Sequence, residues 1–304
     1  MIQGTEDTRY AYVNGIIRSK EARLLTKGHF DRLIAGDLSN FNTILSDTSY
    51  IGQKDISAGL EAEEIEMKKF FDNFCQTPEV KNLIDWPEQI HNIKVKLKQG
   101  SDELLYPQAQ PEIEAWSEVI DEAARFSVDK DPFVFSTNLD KILCKYLYES
   151  AKFASFFDKY YEIYFDLENI RSFFRAQQFE NSREIFTQVY IPYGSIKEKF
   201  FIDNLGVHHD LLGKNFFTTP YAMIVDRGSA YIEERQSFLR LERFSEEMKL
   251  GFLLQARRMT FGIEPLFAYY HFKMGEIRKL RQVYWGKLNE VLASELKESI
   301  PDVW

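Results

Sequence analysis

Along this chain the apolar positions recur at intervals of three and four, and strict apolar/polar alternation is hard to find. From Thr8 to Leu25, Tyr10, Val13, Ile17 and Leu24 keep helical spacing while Arg18, Lys20, Glu21 and Arg23 fill the turns between them, which predicts an amphipathic helix. Polar breaks follow at Gly36-Asp37, Asp47-Thr48-Ser49 and Gly52, where Asp and Ser are placed to cap the next short helices. A further helix is predicted over 61–74. Pro78 and Trp86-Pro87 punctuate the approach to one that ends near Gln99. Helices are predicted near 112–126 and 138–148, then a long one over 151–178. The longest periodic segment opens at Glu264-Pro265, with proline suited to a first helical turn. Tyr270, Met274, Ile277, Tyr284, Leu288 and Val291 mark one face of it, and the small Gly275 and Gly286 would let another helix approach closely.

A short signature, an acid or amide followed by isoleucine and a base, occurs three times within such segments: Asn92-Ile93-Lys94, Asn169-Ile170-Arg171 and Glu276-Ile277-Arg278. The second and third copies follow aromatic runs, and all three continue as helix-compatible sequence. One helical unit used three times sets the architecture, an all-α protein of three similar helical domains. Gly100-Ser101 with Pro107 and Pro111 forms the first boundary, and the tight turn Ile191-Pro192-Tyr193-Gly194-Ser195 the second. The expected units are 1–100, 101–194 and 195–304. Neither boundary is long or rich in Gly and Ser, so the units are expected to dock rigidly.

Composition supports helices. Gly, Pro and Val number only 15, 9 and 12, while 26 Phe and 16 Tyr point to thick packing between helices. The net charge of −9 argues against a nucleic-acid grip, which needs a broad basic face. Charge is uneven: residues 102–149 hold 11 acids against 4 bases, and residues 257–297 hold 8 bases against 4 acids. That polarity could orient the molecule between two partners, or mark two solvated faces. Cys75 and Cys144 are expected as buried, reduced thiols of a cytosolic protein. Neither a secretory signal at the N-terminus nor a direct membrane span is expected.

Candidate chemistry is sparse. Glu88-Gln89-Ile90-His91 has the spacing that places both ligand types on one helix face, but no second such pair completes a two-metal bundle. His208-His209-Asp210 sets ligand types side by side. Adjacent helical side chains diverge by about 100°, which favours a loop or cap role. A metal-dependent helical enzyme using Glu88, His91 and His208 or His209 is one alternative, and a helical adaptor is another. No phosphate-binding glycine loop occurs. Lys94, Lys96 and Lys98 are expected as a solvated face, and Arg171, Arg175, Arg278 and Arg281 are expected to pair with Asp166, Glu168 or Glu276 within a turn.

Tyr10-Ala11-Tyr12-Val13-Asn14, with Arg18 and Glu21 to Leu25, resembles the opening helix of the C subunit of the bacterial and archaeal V/A-type rotary ATPases, whose eukaryotic counterpart is the d subunit. Asp166 to Arg171 with Arg175 resembles that family's middle helix, and Ile191 to Ile196 the turn after it. Glu264-Pro265-Leu266, Lys273, Glu276-Ile277-Arg278 and Gly286-Lys287-Leu288 resemble its C-terminal helix. Gly15 stands where a small alanine is usual and Lys279 where asparagine is common; residues 101–148 match only weakly. The resemblance implies a funnel of three helical domains round a pseudo-threefold axis. Such a protein is a non-catalytic rotor part of the central stalk, without a cofactor, catalytic residue or metal of its own. Its implied partners are the central-shaft subunits of the ATPase head and the membrane proteolipid ring. It would transmit torque for proton or sodium transport as a cytoplasmic, peripherally membrane-associated subunit. The residues that carry the resemblance, with a structural or interface role, are Tyr10, Tyr12, Arg18, Glu21, Asn169, Arg171, Arg175, Glu264, Pro265, Glu276, Arg278 and Lys287.

Overall fold

The computed structural model describes residues 4–46, 48–50, 55–107, 109 and 116–303. Asp47, Gly52, Pro111 and residues 112–115 of the helix expected near 112–126 lie outside the described residues. Among the described residues every regular element is helical, so the protein is all-α. In chain order the α-helices are α1 Ala11–Glu21, α2 Lys27–Ala35, α3 Phe41–Ile44, α4 Ile56–Phe74, α5 Pro78–Leu97, α6 Ser117–Asp129, α7 Pro132–Ala151 and α8 Ser155–Ala176. They continue with α9 Ser182–Val189, α10 Glu198–Asp203, α11 His209–Asn215, α12 Ala222–Arg235, α13 Leu239–Leu253, α14 Glu264–Leu288 and α15 Ala293–Glu298. The chain forms two compact units, one of Gln76–Gly206 and one of Met1–Cys75 together with Val207–Trp304.

In the unit Gln76–Gly206, α7 packs against α5, α6 and α8, and α8 against α9. The start of α7 is fixed by Asp131, whose carboxylate accepts from Phe133 and Val134 N–H, with Pro132 in the first turn. Pro87 does not break the chain as expected; α5 runs straight through it. A proline at this position leaves the carbonyl four residues earlier without its helical donor. That carbonyl belongs to Leu83, and the Tyr161 hydroxyl of α8 donates to it at 3.2 Å. The helix expected over 151–178 is also corrected. Ala154 is extended (φ −151°, ψ 152°), so α7 ends at Ala151 and α8 starts at Ser155. Phe173, Phe186 and Phe201 close the unit on α8, α9 and α10, with centroids 5.1 to 6.1 Å apart. All three are fully buried. Each such side chain contributes about 1.5–3 kcal/mol.

In the other unit, α14 is the axis, touching α1, α2, α4, α13 and α15. Ile277, Leu280 and Val283 meet Phe30, Leu33 and Ile34 of α2, Leu60 of α4 and Leu296 of α15. Pro265 occupies the first turn of α14, as its sequence predicts. The helix stops at Leu288, so Val291 lies beyond it. Gly286 is where α15 comes closest: a Cβ there would lie 2.5 Å from Leu296 Cδ2. The first helix ends at Glu21, short of Leu25, and the Leu25 N–H is taken by the Glu276 carboxylate of α14. Cys144 is buried, and burial pushes its thiol up, which keeps it protonated and inert. Cys75 is only partly buried, against expectation, and neither cysteine is in a disulfide.

Candidate functional site

The three signature copies adopt one register. Asn92, Asn169 and Glu276 are 2%, 0% and 0% exposed, and the isoleucines after them are core residues. The bases of the second and third copies point outward, the Arg171 and Arg278 side chains being 39% and 65% exposed, whereas Lys94 of the first is 19% exposed and reaches Asp140. Each buried polar side chain holds a returning segment to its helix. Asn92 donates to the carbonyls of Tyr106 and Ala109, both at 2.8 Å, and accepts from Tyr106 N–H at 2.8 Å. Asn169 donates to Ile191 carbonyl at 2.8 Å and accepts from its N–H at 2.9 Å. One turn earlier on α8, Asp166 accepts from Ile196 N–H at 3.0 Å and from Ser195 hydroxyl at 2.5 Å. The loop lies so close that a Cβ on Gly194 would fall 2.2 Å from an Asp166 oxygen. The Ile191 to Ser195 turn is thus fixed by α8 from two points.

Glu276 works differently. Its carboxylate accepts from Leu25 N–H, from Tyr50 hydroxyl at 2.7 Å and from Lys273 Nζ at 2.9 Å. Lys273 Nζ also lies 2.7 Å from Ser49 Oγ, 2.9 Å from Tyr50 oxygen and 3.0 Å from Glu63. Burial, and then the Glu276 charge, push the Tyr50 phenol well above its ordinary range, which keeps it a donor. The buried ammonium and carboxylate compensate each other's desolvation through this network.

A second clamp joins α1 to the loop before α14. Asn14, 2% exposed, donates to Thr260 and Gly262 carbonyls at 3.1 and 3.0 Å. Arg18 donates to Ala256 and Met259 carbonyls at 3.1 and 2.9 Å and pairs with Glu21 at 2.8 Å. Glu21 also meets Arg257 at 3.4 Å. Glu264 accepts from Thr5 N–H at 2.7 Å and Thr5 hydroxyl at 3.1 Å; burial pushes its carboxyl up, offset in part by these donors and its own N–H. Gly262 takes a positive φ of 94° and gives its N–H to Asp7 carbonyl, a conformation that favours glycine.

The remaining family-like residues divide between inside and outside. Tyr10 and Pro265 are buried, whereas Tyr12 is 74% exposed, its ring 6.3 Å from that of Phe74. Lys287 donates to Ile34 carbonyl at 2.7 Å. Arg171 pairs with Glu168 within a turn, as expected. Arg281 instead reaches Glu64 of α4 at 2.7 Å, and Arg278 approaches Glu246 of α13 at 3.9 Å. Arg175 is exposed at the wall of a cavity. Lys94 and Lys98 are not a simple solvated face: they reach Asp140 and Ser136 of α7. Sequence reading missed Glu63, Lys141 and the clamp made by Asn14; nothing in local spacing distinguishes these from surface or core positions.

Glu88 and His91 join no cluster of three metal-type ligands among the described residues. His91 Nε2 lies 2.8 Å from Leu104 carbonyl. His208, His209 and Asp210 do converge. His208 is the extended cap residue of α11 (φ −59°, ψ 141°), so the divergence of adjacent helical residues does not apply, and the two rings stand 4.3 Å apart. Asp210 lies 3.3 Å from His208 and 3.1 Å from His209, and Glu233 of α12 pairs with His209. These groups satisfy one another and tie α11 to α12.

Helices joined to returning segments by buried side-chain clamps define a stiff all-helical scaffold. Residues 82–299, which include all three signature copies, match the family described as ATP synthase (C/AC39) subunit, and the chain belongs to that family, the C or d subunits of the V/A-type ATPases. It is similar to the C subunit of the V-type sodium ATPase of Enterococcus hirae, 23% identical over 327 aligned residues that span 97% of this chain and 99% of the relative. Members of this family are structural, non-catalytic subunits of their complex, so the metal-enzyme and unrelated-adaptor alternatives fall away. No helix among the described residues is long and apolar enough to cross a membrane.

Proposed function

We propose that the chain is the rotor socket of a V/A-type ATPase: a spacer that receives the central shaft, sits on the membrane proteolipid ring and transmits torque for sodium or proton transport. The observation that supports this most is the shared register of Asn92, Asn169 and Glu276, each binding a returning segment to a long helix. A torque-bearing part has to resist deformation, and close-packed helices with pinned loops do so. The same register supports the division into three repeat units, 1–100, 101–194 and 195–304, arranged as a funnel. Exposed family-like side chains, Tyr12, Arg175 and Arg278, are proposed as partner contacts, and the inward-facing ones as structural. The protein would then lie at the cytoplasmic side of the membrane, held there through the complex.

Size-exclusion co-migration of the purified chain with shaft subunits, with detergent-solubilised ring, and with both together tests this reading. A ternary peak holding one copy of the chain is expected. Folded chain that binds neither partner overturns it.

A further inference from the structure

The unit Gln76–Gly206 holds a cavity of about 440 Å³ walled by α7, α8 and α9, within the size range of small-molecule sites. Lys141, Arg171 and Arg175 line it, and Phe133 and Phe179, 48% and 56% exposed, stand at its rim. The two lining carboxylates are already engaged: Asp140 by Lys94 at 2.5 Å, and Glu168 by Arg171. Lys98 donates to Ser136, another lining residue. Five cations therefore stand on the wall or one hydrogen bond behind it, against two carboxylates, in a chain whose net charge is −9.

Lys141 is the informative member. It is half-buried, and among the described residues it has no hydrogen bond or ion pair; Glu198 acts on it only through space. Burial holds its pKa below the ordinary ammonium value. Lys98 is likewise lowered, by burial first and by the charge of Lys94 second. A half-buried ammonium that faces an open space without a hydrogen-bonded or ionic partner, beside the guanidinium groups of Arg171 and Arg175, is stabilised by an anion placed in that space.

We propose that this cavity binds an organic phosphate, with the phosphate held by Lys141, Arg171 and Arg175 and its apolar body against Phe133 and Phe179. Phosphate fits better than a single carboxylate because its oxygens can meet a guanidinium fork and a separate ammonium at once. The apolar body is required by the two rim aromatics, which a bare inorganic anion would leave in water. A soluble phosphate ester and the headgroup of an anionic lipid share this chemistry. Such binding does not depend on the proposed rotor role.

Isothermal titration of the full chain with octyl phosphate, octanol and inorganic phosphate tests it. Octyl phosphate is expected to bind saturably and more tightly than either of the others. Lys141→Gln and Arg175→Gln should each weaken it about 10-fold or more, as for loss of a charge-assisted hydrogen bond. Phe179→Ser should weaken octyl phosphate but not inorganic phosphate. Lys199→Gln, which removes an exposed cation paired with Asp203 in the same unit, should change nothing. Lys141→Gln removes an uncompensated charge, so its thermal midpoint should not fall, and this keeps the variant informative. Phosphatidylcholine vesicles containing phosphatidic acid then separate the sources: displacement of octyl phosphate by them identifies a lipid headgroup, and its retention a soluble ester. Absence of saturable octyl phosphate binding, or equal weakening by Lys141→Gln and Lys199→Gln, overturns the proposal.

Discussion

Asn169 and Glu276 stand at the same position of a repeated signature, are both fully buried, and both hold a distant segment to their helix. The amide needs no charge of its own: its donor and acceptor meet the carbonyl and N–H of one residue, Ile191, while Asp166 holds the same turn farther along at Ser195 and Ile196. A carboxylate offers acceptors only, so every partner of Glu276 has to be a donor. That requirement draws in Leu25 N–H, the Tyr50 hydroxyl and the Lys273 ammonium, and Lys273 in turn draws in Glu63. One geometry thus carries two chemistries. The amide clamp spreads its stabilisation over two neutral hydrogen bonds, and the acid clamp concentrates it in a network that fails when any one charge is removed.

The sharpest way to break this comparison is Glu276→Ala. It leaves Lys273 buried beside one acid and orphans Leu25 N–H, and we expect a loss of about 3–5 kcal/mol in urea unfolding. Replacing all three charges together, Lys273→Met with Glu276→Gln and Glu63→Gln, should recover much of that loss, because no unpaired charge of the network is then left in the interior. A loss below about 1 kcal/mol for Glu276→Ala would place the site among ordinary surface pairs and end the distinction.

Next in size is Asn169→Ala. Two backbone groups of Ile191 lose their partner, each worth about 1–3 kcal/mol when left unsatisfied in the interior; water entering the space vacated by the amide relieves part of this, and a loss of about 2–4 kcal/mol is expected. Asn169→Asp keeps the acceptor for the Ile191 N–H but turns a carboxylate toward the Ile191 carbonyl, and it should not restore stability. Wild-type stability for the aspartate variant would show that the bond to the carbonyl contributes little.

The legible parts of the molecule were those written in local spacing. The long C-terminal helix announced itself through its apolar stripe and Pro265, and the signature itself was visible as a repeat. What its first residue does was not visible, because Ile191 lies 22 residues from Asn169 and Leu25 lies 251 from Glu276. Pro87 misled for the same reason: the hydroxyl that satisfies Leu83 comes from Tyr161, 78 residues away. The extended Ala154 lies between two segments of strong helical pattern and carries no glycine or proline to mark it. At the candidate sites, the family-like residues were found as a set, but their split into internal clamps and exposed contacts required the fold. The cavity was hidden because three helices contribute its walls, and Lys141 differs from other helical lysines only in what surrounds it.

The smallest expected effect separates the two regions by pH. His271 lies on α14, its Nε2 shut off from solvent, and burial, followed by the charges of Arg278 and Lys249, lowers its pKa to about 3 from the ordinary 6.5. A histidine with a depressed folded-state pKa contributes its full share above about 6.5 and loses it as pH falls toward about 3, because the unfolded chain takes up the proton first. Stability should therefore fall by about 2 kcal/mol between pH 7 and pH 5, a window in which ordinary carboxyls scarcely titrate. His271→Leu should flatten that slope whatever its absolute stability, and an unchanged slope would move the acid sensitivity elsewhere. The Asn169 amide does not titrate at all. The cost of Asn169→Ala should accordingly be the same at pH 5 as at pH 7, and a cost that shrinks on acidification would mean that the neutral clamp is electrostatically tied to groups its own hydrogen bonds do not include.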